Sequence, residues 1–275
     1  MNGFPPRLHV LLARAAPAGV VIRRGPSRQV CTILWDRRSD EFRVGQWLKG
    51  RIYERRSDLS PTGEYLIYFA MNGRWHGRAK GAWTAISRAP YLKAIGLYPK
   101  GDCWHGGGLF TGERTYWLND GSGHEMLREA GEPRRDRQFA PAPAFGGECL
   151  GVYYPRLMRD GWRLVEESST GRLSELTTFE KGLPGGWTLR KLAQAQLDHP
   201  PGRGCYWDEH ALVHKASGRV EPCPDWEWAE RDGGRLVWAA GGLLFAGEIG
   251  DDGLNSRRLL RDFRGMTFER IAAPY

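Results

Sequence analysis

An all-β fold is predicted by three features of this 275-residue sequence. Apolar residues alternate with a period of two over short runs rich in Val, Ile, Thr and aromatic side chains. Gly and Pro, 37 and 17 in number, separate those runs and argue against a helical bundle, where each would cost roughly 1 or 3 kcal/mol in a helix interior. Twelve Trp supply large rings for packing between sheets. With 41% hydrophobic and 26% charged residues, the balance is that of a folded globular chain and excludes disordered and collagen-like classes.

Taken in order, HVLLAR (9–14), GVVIRRG (19–25), QVCTILWD (29–36) and EFRVGQWL (41–48) form a first group of strands. RIYERRSDLS (51–60), EYLIYFAM (64–71), WTAISR (83–88) and KAIGLYP (93–99) form a second. Within it, Ser60-Pro61-Thr62-Gly63 has Pro at i+1 and Gly at i+3, the signature of a type I turn. The third group opens at Asp102 and holds CWHGGGLF (103–110), TYWLND (115–120), GWRLVEE (161–167) and LSELTTF (173–179). It is interrupted by residues 121–148, a polar, Pro/Gly-rich insertion expected to be a surface loop with one helical turn. The fourth group is GGWTLRKLAQ (185–194), CYWDEHALVHK (205–215) and RVEPC (219–223). The segment 188–197 within it also shows helical spacing, through Leu189, Leu192, Ala193 and Leu197. The fifth is DWEWAE (225–230), RLVWAA (235–240), GLLFAGEI (242–249) and RRLLRDF (257–263). MTFERIA (266–272) remains, and is expected to complete the first sheet beside HVLLAR.

Group starts near residues 9, 51, 102, 185 and 225 give a repeat of about 40–50 residues, apart from the longer third interval. A four-stranded sheet of this size cannot bury both of its faces alone; radial packing of several such sheets solves that problem. The expectation is therefore a single domain over 1–275, a β-propeller of five four-stranded blades with the 121–148 insertion in the third. Gly106-Gly107-Gly108 suits an inner strand where backbones approach closely.

The stretch Asp58-Leu59-Ser60-Pro61-Thr62-Gly63-Glu64-Tyr65-Leu66-Ile67-Tyr68 resembles the D-x-S-P-D-G-x-x-L-x-Y pattern of TolB-like and WD-repeat-like propeller proteins, with Thr62 where the pattern has Asp. DWEWAERDGGRLVW (225–238) repeats it loosely. The resemblance covers about eleven residues and implies the propeller fold, which hosts binding modules and enzymes alike.

Three constellations are candidates for chemistry. In GDCWHGGGLF (101–110), Asp102, Cys103 and His105 cluster beside the aromatic Trp104 and a triple glycine whose N–H groups are able to wrap an anion. The competing reading gives the glycines to close packing, and leaves Asp102 and His105 open between structure and binding. In CYWDEHALVHK, Cys205, Asp208, His210 and His214 carry ligand-type atoms. His210 and His214 lie about 13 Å apart along a strand, too far to share one ion. Glu209 precedes both histidines, so H-E-x-x-H fails and metal binding is disfavoured. The third set is drawn from the expected inner strands: Arg55, Arg56, Asp58, Asp102, Trp187, Asp225 and Glu227. Paired carboxylates at an axis would suit glycoside hydrolysis, whereas Asp58 and Asp225 equally suit turns and strand starts that bond local backbone. Trp35, Trp47, Trp83, Trp117 and Trp238 read as core, Trp75 as a loop residue, and Trp104, Trp187, Trp226 and Trp228 as inner-strand positions.

Residues 1–56 hold eleven Arg and one Lys against four acids, so the formal net charge of +8 resides there. The basic residues occur singly or in pairs, as expected of a solvated edge more than of a nucleic-acid surface. Five widely spaced cysteines without C-x-x-C, together with a broken N-terminal apolar run, point to a cytoplasmic protein without a membrane segment. No cofactor is expected, since P-loop and G-x-S-x-G patterns are absent. The function expected is a binding module for a protein, peptide, small polar or sugar ligand, with a site at one end of the channel formed by Arg55, Asp58, Asp102, Trp104, His105, Trp187, Asp225 and Glu227. The alternatives are a glycosidase-like hydrolase using axial carboxylates, and nucleic-acid or phosphate binding through residues 1–56.

Overall fold

The period-two runs become strands with few exceptions. The computed structural model describes residues 4–26, 28–121, 123–146, 148–171, 174–199 and 203–275. The first sheet joins β1 (Arg7–Leu12), β2 (Ala18–Arg24), β3 (Gln29–Asp36) and β4 (Glu41–Lys49) in that order. The second joins β5 (Arg51–Leu59), β6 (Tyr65–Met71), β7 (Ala82–Arg88) and β8 (Ala94–Pro99). The third is smaller: β9 (Gly108–Phe110), β10 (Thr115–Leu118) and the parallel two-residue β11 (Arg134–Arg135). Helix α1 (Leu150–Arg159) follows. The fourth sheet runs through β12 (Arg163–Gly171), β13 (Ser174–Gly182), β14 (Trp187–Gln196), β15 (Tyr206–His214) and β16 (Arg219–Cys223). The fifth holds β17 (Trp228–Asp232), β18 (Arg235–Ala240), β19 (Leu243–Gly250), β20 (Gly253–Leu254) and β21 (Arg258–Asp262), with β21 on β19.

Several expectations are corrected in detail. The third group of runs divides: 103–120 pairs with β11, whereas 161–179 joins the fourth sheet, so the sheets hold four, four, three, five and five strands. Leu173, where one expected strand begins, lies outside the described residues, as do Ser122 and Gly147 of the insertion. The described part of the insertion contains β11 and a bridge from Arg128 to Leu97 but no helix. The helix comes just after it, where Leu150, Tyr153, Tyr154 and Leu157 are buried at i, i+3, i+4 and i+7. Its end is a Schellman motif: Gly161, at φ +90°, donates to Met158 O at 3.1 Å, and Trp162 N donates to Leu157 O at 2.9 Å. The segment 188–197 is strand over most of its length, because β14 pairs on both edges with β13 and β15 and tertiary pairing overrides its helical spacing. Residues 266–272 form no strand.

The chain divides into two compact units: 1–4, 9–156 and 266–275 in the first, and 5–8 and 157–265 in the second. In the first unit the alternation of β6 separates two cores. Leu66, Tyr68 and Ala70 face Leu11, Val20, Ile22 and Val30 of the first sheet. Tyr65 and Ile67 face Phe110, Tyr116 and Leu118 of the third. The second sheet is thus covered on both faces, and each fully buried Leu or Ile contributes about 1.5–3 kcal/mol. The expected type I turn is present, with Gly63 N bonded to Ser60 O at 2.9 Å. In the second unit, Trp226, Trp238 and Phe245 stack at 4.9 and 5.7 Å between ring centroids. No helix among the described residues is long and apolar enough to cross a membrane.

Candidate functional site

Strand β8 ends at Pro99, and the chain then enters a loop, residues 100–107, held by side-chain as well as backbone contacts. Lys100 Nζ pairs with Asp102 Oδ2 at 2.7 Å; the lysine side chain is 2% exposed and the aspartate 43%. Asp102 Oδ1 accepts from Trp104 N at 2.8 Å, a local Asx turn. Against the upward push of burial, the Lys100 ammonium and the Trp104 amide hold the Asp102 carboxyl below the usual carboxylate range. The turn projects the Trp104 indole into solvent, 64% exposed.

His105, Gly106 and Gly107 are three successive left-handed residues, at φ +56°, +87° and +75°. They bend the chain back into β9. A Cβ on Gly107 would lie 1.9 Å from Arg56 O, and one on Gly108 2.1 Å from Trp117 O, so these glycines serve close backbone packing. They do not form an anion nest, because Gly106 N donates to Asn119 O at 2.8 Å and Gly107 N to Thr84 Oγ1 at 2.9 Å. The His105 ring lies against Gly121, where a Cβ would come within 2.9 Å of Cε1.

Arg56, fully buried on β5, clamps this loop from below. Its Nη1 donates to Cys103 O at 2.6 Å and to His105 O, its Nη2 pairs with Glu148, and its Nε reaches Cys149 Sγ at 3.3 Å. The guanidinium also lies over the Tyr53 and Phe69 rings, at 4.8 and 5.0 Å. Burial raises the Cys149 thiol pKa, against the opposing pull of Arg56, and keeps this cysteine a neutral packing residue.

Next to the loop, His124 Nε2 is 3.1 Å from Thr84 Oγ1. Burial pushes its pKa down to about 4; Asp120 opposes this, while Lys100 and Arg135 reinforce it. The imidazole is therefore neutral near pH 7. Its buried Nδ1 has no hydrogen-bond partner among the described residues. Asp120 itself pairs with Arg135 at 2.6 Å. On the adjoining β6–β7 loop, Trp75 is 47% exposed and packs over Gly81, and Lys80 reaches Gly101. One patch of the first unit thus presents an indole on a rigid turn and the Asp102 carboxylate, fixed from beneath by the buried Lys100 ammonium, beside the half-buried neutral imidazole of His124. It supplies ring-face contact together with donors and acceptors held in place.

The other sequence-predicted residues have different surroundings. Arg55 is buried, with its guanidinium 4.6 Å from the Tyr153 ring centroid. Asp58 is buried and accepts from Phe110 N at 2.7 Å, bracing β5 against β9. Trp187, Asp225 and Glu227 belong to the second unit, whereas Arg55, Asp58, Asp102, Trp104 and His105 belong to the first. Trp187 is buried, with its indole N–H on Asp251 O at 3.1 Å. Asp225 is an exposed turn residue ahead of β17, and Glu227 accepts from Leu8 N at 2.9 Å. Trp104 and Trp226 lie outside strands.

Part of the basic N-terminal region is engaged internally, while Arg14, Arg28, Arg38, Arg43, Lys49 and Arg51 are exposed. Arg23, Arg55 and Arg56 are buried, Arg24 pairs with Glu54 at 3.1 Å, and Arg37 donates to Ala13 O and Ala16 O. In the CYWDEHALVHK strand, Asp208 and His210 are buried beside Lys191 of β14, at 3.5 and 3.1 Å, while His214 turns to Ser217. Among the described residues no group of three or more His, Cys, Asp or Glu is placed to hold a metal ion. The five cysteines are free thiols.

Sequence reasoning missed Lys100, His124, Arg56 as a clamp, and Lys191. Two of these had a signal: Lys100 lies two residues before Asp102, and Lys191 falls in the inward phase between Leu189 and Ala193. His124, isolated in the insertion, had none. Compared with protein-family models and with curated proteins, the chain matches none.

Proposed function

We propose that the five sheets are the blades of a β-propeller that acts as a binding module, and that its recognition surface is the Trp104 patch. The double-sided burial of the second sheet supports the fold reading, since a sheet between two neighbours is what radial packing requires. The observation that carries the functional reading is the Trp104 indole. A large apolar ring is held 64% exposed on a loop whose backbone is fixed by Asp102, Arg56 and packed glycines. Such a ring is pre-organised, so little conformational entropy is lost when a ligand covers it. Around it lie the Asp102 carboxylate, fixed by the buried Lys100, and neutral His124, which suit hydroxyl groups better than a second aromatic surface. The ligand class is a saccharide, with its C–H face on the indole and its hydroxyls toward the Asp102 carboxylate.

The hydrolase alternative draws no support from Asp58 and Glu227, whose carboxylates each accept a backbone amide. The phosphate-binding alternative loses the arginines that are buried or bonded to carbonyls. The test is a glycan array probed with the labelled full chain beside Trp104→Ala. Saccharide spots retained by the parent and lost in the variant support the reading. An array without signal, or one on which the variant binds equally, overturns it.

A further inference from the structure

Residues 266–275, MTFERIAAPY, lie on the first unit as an extended segment that forms no strand. They are held at three points. Phe268 packs against Trp47 at 6.0 Å between centroids, under Lys49 Nζ at 4.8 Å. Ile271 O accepts from Gln46 Nε2 at 2.7 Å. The Tyr275 hydroxyl donates to Lys93 O at 2.7 Å and accepts from Arg88 N at 3.0 Å, with Tyr91 edge-on to its ring and the Arg88 and Lys93 cations near its face. The two aromatic anchors are seven residues apart, about 23 Å of extended chain.

The walls of this groove do not depend on the segment. Gly45 of β4 packs against Pro90 so closely that a Cβ would lie 2.4 Å from Pro90 O, and Thr32 Oγ1 donates to the same carbonyl at 2.5 Å. Gln46 Oε1 accepts from Leu92 N and Lys93 N at 2.7 and 2.9 Å, which orients its amide before Nε2 meets a ligand carbonyl. The occupant has no strand ladder of its own, whereas Gln46, Trp47 and Lys49 of the seat stand on β4 and Arg88 on β7.

We propose that this groove is a peptide-recognition site whose resident occupant is the chain's own segment 266–275. The ligand it takes in exchange is an extended segment of a partner protein bearing two aromatic side chains seven positions apart. Recognition rests on the two aromatic seats, the Gln46 amide and the basic rim of Lys49, Arg88 and Lys93, and is separate from the Trp104 patch. Because the tethered segment competes at an effective concentration in the millimolar range, the site accepts a partner weakly until the segment is displaced.

The experiment uses the full chain and a fluorescein-labelled MTFERIAAPY peptide, read by anisotropy. Phe268→Ala combined with Tyr275→Ala, which weakens the resident segment, is expected to raise peptide affinity at least about tenfold over the parent chain. Replacing both aromatics in the peptide is expected to remove that binding. Equal binding to parent and variant, no binding to a variant with unchanged circular dichroism, or indifference to the peptide aromatics overturns the proposal. If the double variant does not fold, hydrogen exchange on the parent decides. Excess peptide should speed exchange over residues 266–275, and an unchanged rate refutes displacement.

Discussion

Replacing Gly107 by alanine isolates how tightly the Trp104 loop is fixed to β5. Two costs arise. Alanine at φ +75° enters the left-handed region, at about 1–2 kcal/mol. The new Cβ would also lie 1.9 Å from Arg56 O and 2.7 Å from Arg56 Cβ, where ordinary contact begins near 3.4 Å. Main chain must therefore move by about 1.5 Å, an overpacking strain of roughly 1–3 kcal/mol. The expected loss is about 2–5 kcal/mol, a large share of the 5–15 kcal/mol typical of a domain. Gly73 supplies the control, with φ +72° and no atom within 4 Å of its added Cβ. Gly73→Ala should lose only the conformational part, about 1–2 kcal/mol. Urea unfolding at constant m-value, with hydrogen exchange over β5 and β9, measures the difference. Two substitutions that agree to within about 0.5 kcal/mol would refute the close-packing account of the triple glycine.

Arg56→Met should cost about 3–5 kcal/mol, because it removes the clamp on two carbonyls and the partner of Glu148; Arg56→Lys should recover little, since a point charge cannot reproduce the guanidinium fork. A methionine variant within about 1 kcal/mol of the parent in denaturant unfolding would contradict this. Lys191→Met should destabilise by a similar amount, about 3–5 kcal/mol, and adding Asp208→Leu should restore much of the loss, since a packed apolar pair replaces a buried ionic one; a double variant less stable than the single disproves it. His124 has its folded pKa lowered from 6.5 to about 4, so the unfolded chain binds the proton first. Its contribution is present above about pH 6.5 and falls away as pH drops towards about 4. His124→Gln should flatten the stability profile between those values, and an unchanged slope there would count against a buried neutral imidazole.

Much of the strand pattern was legible because alternation and turn chemistry are local. β1 to β8 follow their period-two runs, and Ser60-Pro61-Thr62-Gly63 makes the turn its residues specify. The helix at Leu150–Arg159 was also readable, in the spacing of Leu150, Tyr153, Tyr154 and Leu157, but Pro155 within it and the adjoining Pro/Gly-rich insertion obscured that signal. Where two sheets meet, reading along the chain fails. Runs 161–179 look like continuations of 103–120, yet they open the next sheet: β12 pairs with β13 and β13 with β14, so the chain after helix α1 starts a new meander.

The candidate site divides in the same way. Asp102, Trp104 and His105 stand out in the sequence because an acid, an indole and an imidazole gather beside three glycines. Lys100, two residues away, pairs locally with the Asp102 carboxylate, whereas Arg56 O against Gly107 and Gly121 under His105 are partners that only folding brings. Asp58 and Glu227 carry the same chemistry as Asp102, yet each accepts a buried or half-buried backbone amide. Residue type and spacing determine which groups can ionise, stack or bend the chain, since these are properties of a few neighbouring atoms. Whether a carboxylate braces a strand or faces a ligand is decided by contacts from residues many positions away, and those exist only once the sheets have packed.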